Sequence, residues 1–193
     1  MATRCWPECF TEYGGAACSP QSMLIDDGIA ATCEADVYGN VTALVLKYLA
    51  DEPSFVADLV EMDTDGSTGV LWHCGLAPMH MAPEDGSARG TVHSNRNKPL
   101  LNEFALRPGR VTLGRLSQSG RDLSLVIGGG TMLDQPLAFS GTAGVIEFDR
   151  PAPEITATIM REGLAHHFGI VYGDYRAELD ALAGVWNIPV IDL

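Results

Sequence analysis

The sequence predicts an α/β chain that carries an inserted antiparallel β-rich subdomain, a small barrel or sandwich, so that the protein is α+β overall. Three observations carry that reading. Helical and strand-like segments alternate over the first 75 residues, the helix period disappears between Arg110 and Phe148, and it returns after Pro151 and Pro153. Four segments follow: 1–75, α/β; 76–103, a long loop; 104–150, antiparallel and β-rich; and 151–193, returning α/β. With 193 residues, 46% apolar and 19% charged, the chain is long enough for one cored domain or two small packed lobes.

In the first segment the Ser19-Pro20 pair opens a short helix closed by Gly28, and the apolar run Ile29–Cys33 reads as a buried strand. Asp36 is placed to cap a helix running to Ala50, with Val37, Val41, Leu44 and Tyr48 recurring at helical spacing. Ser54–Met62 and Gly69–Cys74 are short, apolar and bounded by turn residues, so both read as strands. Residues 75–103 lose periodicity and fill with Pro, Gly, Asn and His, the composition of a loop. The β-rich segment reads as RVTLGRLS, a turn at Ser119-Gly120, DLSLVIGG, PLAFSG and AGVIEFD. The last segment reads as a helix near Glu154–Glu162, the strand HFGIVYG, a helix capped by Asp174, and a final strand over Ile188–Leu193. Tyr175, Leu179, Leu182 and Trp186 share one face of that last helix.

Twelve basic against 25 acidic side chains give a net charge of −13, which repels nucleic-acid backbones and argues against such a partner. No window approaches 18 consecutive apolar residues, so no membrane span is expected. Cys5, Cys9, Cys18, Cys33 and Cys74 form an odd set without CxxC spacing or a secretory signal ahead of them, which fits reduced thiols in a cytoplasmic protein. The opening Thr3-Arg4-Cys5-Trp6-Pro7 reads like a strand end entering a loop and suggests a chain that begins inside a larger protein.

Glu34 follows a predicted strand and precedes a predicted helix, the place where α/β sheets bind ligands. Asp58 lies inside the apolar strand SFVADLV, where a buried acid needs a partner charge or a metal. His73 ends the strand GVLWHC, and the pair His166-His167 opens another. Carboxylates mixed with imidazoles suit first-row divalent ions better than Ca²⁺. For Trp6, an aromatic stacking surface, for Glu8, an acceptor, and for Arg115, a mid-strand charge, ligand binding competes with ordinary structural roles.

These residues, in this order, resemble the L-fucose isomerase and L-arabinose isomerase family, specifically its C-terminal portion. Glu34 and Asp58, with 58 − 34 = 24 positions between them and a strand, helix and strand in order, look like that family's two metal-binding acids. Ala165-His166-His167-Phe168-Gly169, followed by Gly173, a helix and Ile188-Pro189-Val190, is similar to the segment that carries its metal-binding histidine, with His167 at the ligand position. His73 sits where the arabinose relative has a further histidine ligand. The resemblance implies an aldose–ketose isomerase working through a cis-enediol, with Mn²⁺ or another divalent ion such as Mg²⁺ or Co²⁺. It also implies Glu34 and Asp58 as acid–base pair as well as ligands, a sugar substrate, and a homo-oligomer with the site at a subunit interface. Family members are much longer chains, so the resemblance implies an incomplete site here. A non-catalytic sugar-binding or assembly domain shares every motif, and a metal-dependent aldolase or hydrolase would reuse the same carboxylates.

Overall fold

A computed structural model describes residues 1–119 and 122–193; the expected turn at Ser119-Gly120 lies outside the described residues. The elements are α1 (Glu8–Thr11), α2 (Cys18–Asp26), α3 (Val37–Ala50), β1 (Phe55–Met62), β2 (Thr68–His73), β3 (Arg89–Thr91), β4 (Leu101–Ala105), β5 (Gly109–Ser119), β6 (Asp122–Met132), β7 (Thr142–Phe148), α4 (Ala152–Glu162), β8 (His167–Tyr172), α5 (Arg176–Trp186) and β9 (Val190–Asp192). No described helix is long and apolar enough to cross a membrane.

The sheet runs β3-β4-β7-β2-β1-β8-β5-β6-β9, and an added pairing of β6 with β7 closes six of these strands into an antiparallel barrel. The architecture is therefore α+β with a β-rich barrel, as expected. Its staves come from three separated stretches of sequence: β1 and β2, then β5 to β7, then β8. Closure removes the free edges that such a sheet would otherwise expose.

Alternation along the strands sorts the core. Phe55, Ala57, Val111, Leu113, Phe168, Ile170, Ile146 and Phe148 join one continuous apolar cluster. The opposite faces of β6 and β8, with Leu125, Ile127 and Val171, are covered by Leu46 of α3 and by Leu179 and Ala183 of α5. Helix α3 lies close on the sheet because two glycines meet it: Gly114 and Gly169 are register partners, and a Cβ at Gly169 would come within 2.9 Å of Leu46 and 3.0 Å of Thr42. The Thr42 hydroxyl accepts the Leu116 amide at 2.8 Å and donates to the Tyr38 carbonyl at 2.8 Å, which ties the helix to β5.

Several expected elements differ. Ile29–Cys33 is buried apart from Ile29 but forms only one bridge, Ala2 to Thr32, because no longer strand lies beside it. The long loop contains β3, β4 and a 3₁₀ turn at Met79–Met81. The stretch PLAFSG is not a strand; Pro136 lacks an amide donor, and β6 and β7 on either side pair directly with each other. On α3 the buried face is Gly39, Thr42, Ala43 and Leu46, whereas Val37, Leu44 and Tyr48 are exposed. The glycines under the helix select its small-residue face, which apolar periodicity alone cannot register. Helix α5 starts at Arg176 with Tyr175 as N-cap residue, and the Asp174 carboxylate is held mainly in ion pairs with Arg110 and Arg176. Of the face expected on that helix, Leu179 is buried and Trp186 is exposed. The terminal strand is shorter than Ile188–Leu193 and parallel to β6.

Candidate functional site

The N-terminus of α3 stands over the outer face of the barrel at β1 and β8. Asp58 and His167 are direct cross-strand partners in the β1–β8 pairing, so their side chains point the same way. His167 Nε2 lies 2.9 Å from Asp58 Oδ1 and 3.5 Å from Glu34 Oε2. His166 Nε2 lies 3.3 Å from Asp58 Oδ1, from a ring that is largely exposed. Two ligand sets result, each with donor atoms inside 4.8 Å of one another: Glu34 with His166 and His167, and Asp58 with His73 and His167.

Glu34 and Ala35 both adopt left-handed backbone, φ 59° and 56°. Two successive non-glycine residues in that region cost energy, which concentrates where geometry serves a site. This turn, just before the Asp36 cap, leaves the Glu34 side chain half exposed at the mouth of the cluster.

Asp36 does three jobs at once. Its Oδ1 accepts the Gly39 amide at 2.8 Å and caps α3. Its Oδ2 receives the Arg115 guanidinium and lies 2.9 Å from His167 Nδ1. Burial resists the charge, but the bonds from His167 and Arg115 hold the carboxyl far below its usual range. Burial likewise opposes the His167 charge, and the hydrogen bond to Asp36 together with the negative charge of Asp58 close to Nε2 outweighs it, raising the ring to about 9. Arg115 is thus buried against Asp36 behind the imidazole, not on an open sugar-binding surface.

A divalent ion fits this donor set. With Nδ1 facing Asp36, Nε2 of His167 is the ring atom turned to the acids, and it is buried without a hydrogen-bond partner, since Asp58 Oδ1 at 2.9 Å is not aligned with the ring N–H direction. An ion at that point satisfies the orphaned nitrogen and relieves two converging carboxylates, with Asp36 orienting the ligand from behind. His73 is fully buried and its Nδ1 accepts the Cys74 amide at 2.9 Å, so the neutral ring carries its hydrogen on Nε2. In that tautomer Nε2 can donate a hydrogen bond to a carboxylate, and it would join an ion's ligand set only with the hydrogen moved off Nε2 and the Cys74 contact given up.

Trp6 and Glu8 flank the same region. Trp6 is half exposed, with a cis bond to Pro7 and the Arg96 guanidinium 3.7 Å over its ring. Glu8 pairs with Arg4 at 2.9 Å, and its Oε2 is buried without a partner. Sequence reasoning assigned Asp36 only a capping role. The signal that would have revealed more was Arg115, a charge inside an apolar strand that requires a buried acid.

Residues 102–193 match the family model described as L-fucose isomerase, C-terminal domain. The whole chain is 32% identical over 194 residues to a sulfoquinovose isomerase of Alkalicoccus urumqiensis, of which the match covers 44%. It is 37% identical over 190 residues to a sulfoquinovose isomerase of Clostridium sp. (strain MSTE9), covering 97% of this chain and 42% of that protein. A sulfoquinovose isomerase of Priestia aryabhattai is 33% identical over 189 residues, again with 42% of its length covered. The chain thus spans less than half the length of these relatives. Residues 102–193 are an L-fucose isomerase C-terminal domain, and the chain that contains them corresponds to a C-terminal portion of the L-fucose isomerase-like family.

Proposed function

We propose that this chain supplies the metal-binding half of an aldose–ketose isomerase that acts on a sugar such as the sulfoquinovose of its relatives. The observation that carries the proposal is the orphaned, buried Nε2 of His167 facing Asp58 and Glu34. Glu34, Asp58 and His167 would hold a divalent ion, Mn²⁺ or alternatively Mg²⁺ or Co²⁺, with His73 beside them. When bound, the ion supplies Lewis-acid polarisation of the sugar's oxygens.

The residues of the chain supply the proton transfers. One carboxylate of the Glu34–Asp58 pair removes the hydrogen from C2 of the open-chain aldose while the carbonyl oxygen at C1 gains a proton, which leaves a cis-enediol. Delivery of a proton to C1 and loss of the proton from the C2 hydroxyl complete the ketose. General acid–base work of this kind contributes about 10²–10⁴-fold. His73 lies beside Asp58 and His167, Trp6 would pack a sugar face, and the unpartnered Glu8 Oε2 would accept from a hydroxyl.

The half-exposed Glu34 and the exposed His166 leave the site open on one side. Further protein, from the rest of a longer chain or a neighbouring subunit, would exclude water there and fix the substrate; positioning of that kind accounts for about 7–11 kcal/mol of barrier reduction. The test is to incubate the 193-residue chain and the intact protein with sulfoquinovose and a panel of neutral aldoses in the presence of Mn²⁺, following ketose formation. The intact protein turns over at least one sugar, the chain alone does so poorly, and Glu34→Gln or Asp58→Asn removes activity. Failure of the intact protein on every sugar would leave a binding module instead.

A further inference from the structure

Beside the ion-binding cluster lies a cavity of about 470 Å³, within the range of small-ligand sites, to which Glu34 also contributes. Arg4, Trp6, His93, Asn95 and Arg96 contribute to its lining. The charge there runs against the rest of the chain. Of 25 acidic residues none falls between positions 86 and 102, a stretch that carries Arg89, His93, Arg96 and Lys98.

Among the described residues Arg96, like Arg107, forms no ion pair with a carboxylate, whereas Arg4, Arg89, Arg110, Arg115, Arg150, Arg161 and Arg176 all do. Its guanidinium is instead stacked on Trp6. Stacking occupies a face of the guanidinium and leaves the N–H groups, which lie in its plane, free to donate. The loop that carries it is closed on itself, His93 N donating to the Lys98 carbonyl and Asn97 N to the His93 carbonyl, each at 2.8 Å. It is fastened to α1 by the edge-on packing of His93 against Phe10, centroids 5.2 Å apart. A fixed, unneutralised arginine in a protein of net charge −13 is an anion site.

We infer that this cavity receives an anionic group on the far end of the sugar, a sulfonate, with Arg96 as its main donor and Arg4 as the second. The inference rests on the isomerase reading above and adds the residues that select the substrate. A sulfonate suits the cavity better than a phosphate ester because it carries one charge where the phosphate carries close to two at neutral pH, and Glu34 borders the same space.

The experiment compares the intact wild-type protein with Arg96→Gln, Arg96→Lys and Arg4→Gln. Each is assayed with Mn²⁺ on sulfoquinovose, glucose 6-phosphate and a neutral aldose, and titrated calorimetrically with sulfoquinovose. Charge-assisted hydrogen bonds of this kind set the expected scale. In Arg96→Gln the ratio of kcat/KM for the sulfonated over the neutral sugar falls by about tenfold or more, through KM, and the Kd for sulfoquinovose rises in step. Arg96→Lys retains part of the preference, and Arg4→Gln gives a smaller loss. An unchanged ratio and an unchanged Kd in Arg96→Gln would overturn the assignment, and tighter use of the phosphate than of the sulfonate would overturn the choice of anion. If the wild type isomerises nothing, the isomerase reading fails by itself, and the calorimetric Kd of wild type against Arg96→Gln still decides whether the anion site exists.

Discussion

Asp36 stands behind the proposed ion site and would set the direction of its histidine ligand, because a carboxylate on Nδ1 leaves His167 only Nε2 to offer. Replacing it by Asn keeps a cap for α3 but removes the charge that faces both Arg115 and His167. Asp36→Asn is therefore expected to weaken Mn²⁺ binding by about 10–100-fold, as partners behind metal ligands commonly do. His167→Ala is expected to do at least as much, and His80→Ala nothing, since His80 is on the surface paired with Glu52 at 2.9 Å. Calorimetric titration of Mn²⁺ into the three variants checks this ordering, and an Asp36→Asn affinity equal to the wild type would refute the orienting role. At this scale the sequence was legible where a residue broke its local pattern: an acid in an apolar strand, Asp58, and a histidine at a strand start, His167, both stand in the site. It was illegible where the reason was a partner far along the chain, as for Arg115, whose meaning depends on Asp36, 79 positions away.

Among the elements, the end of β7, the start of β5 and the entry to α5 are clipped together by four charges. Arg110 and Arg176 each meet both Asp149 and Asp174. Hydrogen bonds from Arg176 hold the Asp174 carboxyl far below its usual range, and those from Arg110 lower Asp149. In the unfolded chain these acids take up protons near pH 4, before they do in the folded one. The contribution is thus complete above that pH and is lost as pH falls toward the depressed folded values. The melting temperature is expected to drop between pH 5 and pH 3, and to drop less in an Asp149→Asn/Asp174→Asn double variant; equal slopes by scanning calorimetry would remove this clip from the account. These groups are about a third exposed or more, so solvent screening keeps the effect modest. Elements were legible in the sequence where period and burial agree, as for β1, β2, β5, β6, β8 and α4. They were not for α3, whose buried face is chosen by Gly114 and Gly169 beneath it and not by its own apolar residues.

For the molecule as a whole, the barrel takes two of its six staves from residues ahead of the matched 102–193 segment. Without β1 and β2, strands β7 and β8 would each lose a neighbour and expose unpaired edges. Residues 102–193 expressed alone are expected to be insoluble or unfolded by circular dichroism, and co-expression with residues 1–101 is expected to rescue them. A cooperative melt from the short fragment would disprove this. Closure of this sort joins strands distant in sequence, and local pattern carries no record of it, which is why the sequence marks β1, β2 and β8 as strands but not as staves of the barrel. The cross-strand placement of Asp58 opposite His167 has one more consequence, for how such a chain can change length over generations. Removing a single residue within β1 turns over every side chain beyond the cut and carries the acid to the far face, whereas residues gained or lost in the turns at 51–54 and 63–67 leave it where it is. The proposed ion site would in that sense be a parity check on the chain, passed only when β1 and β8 have been counted out in step.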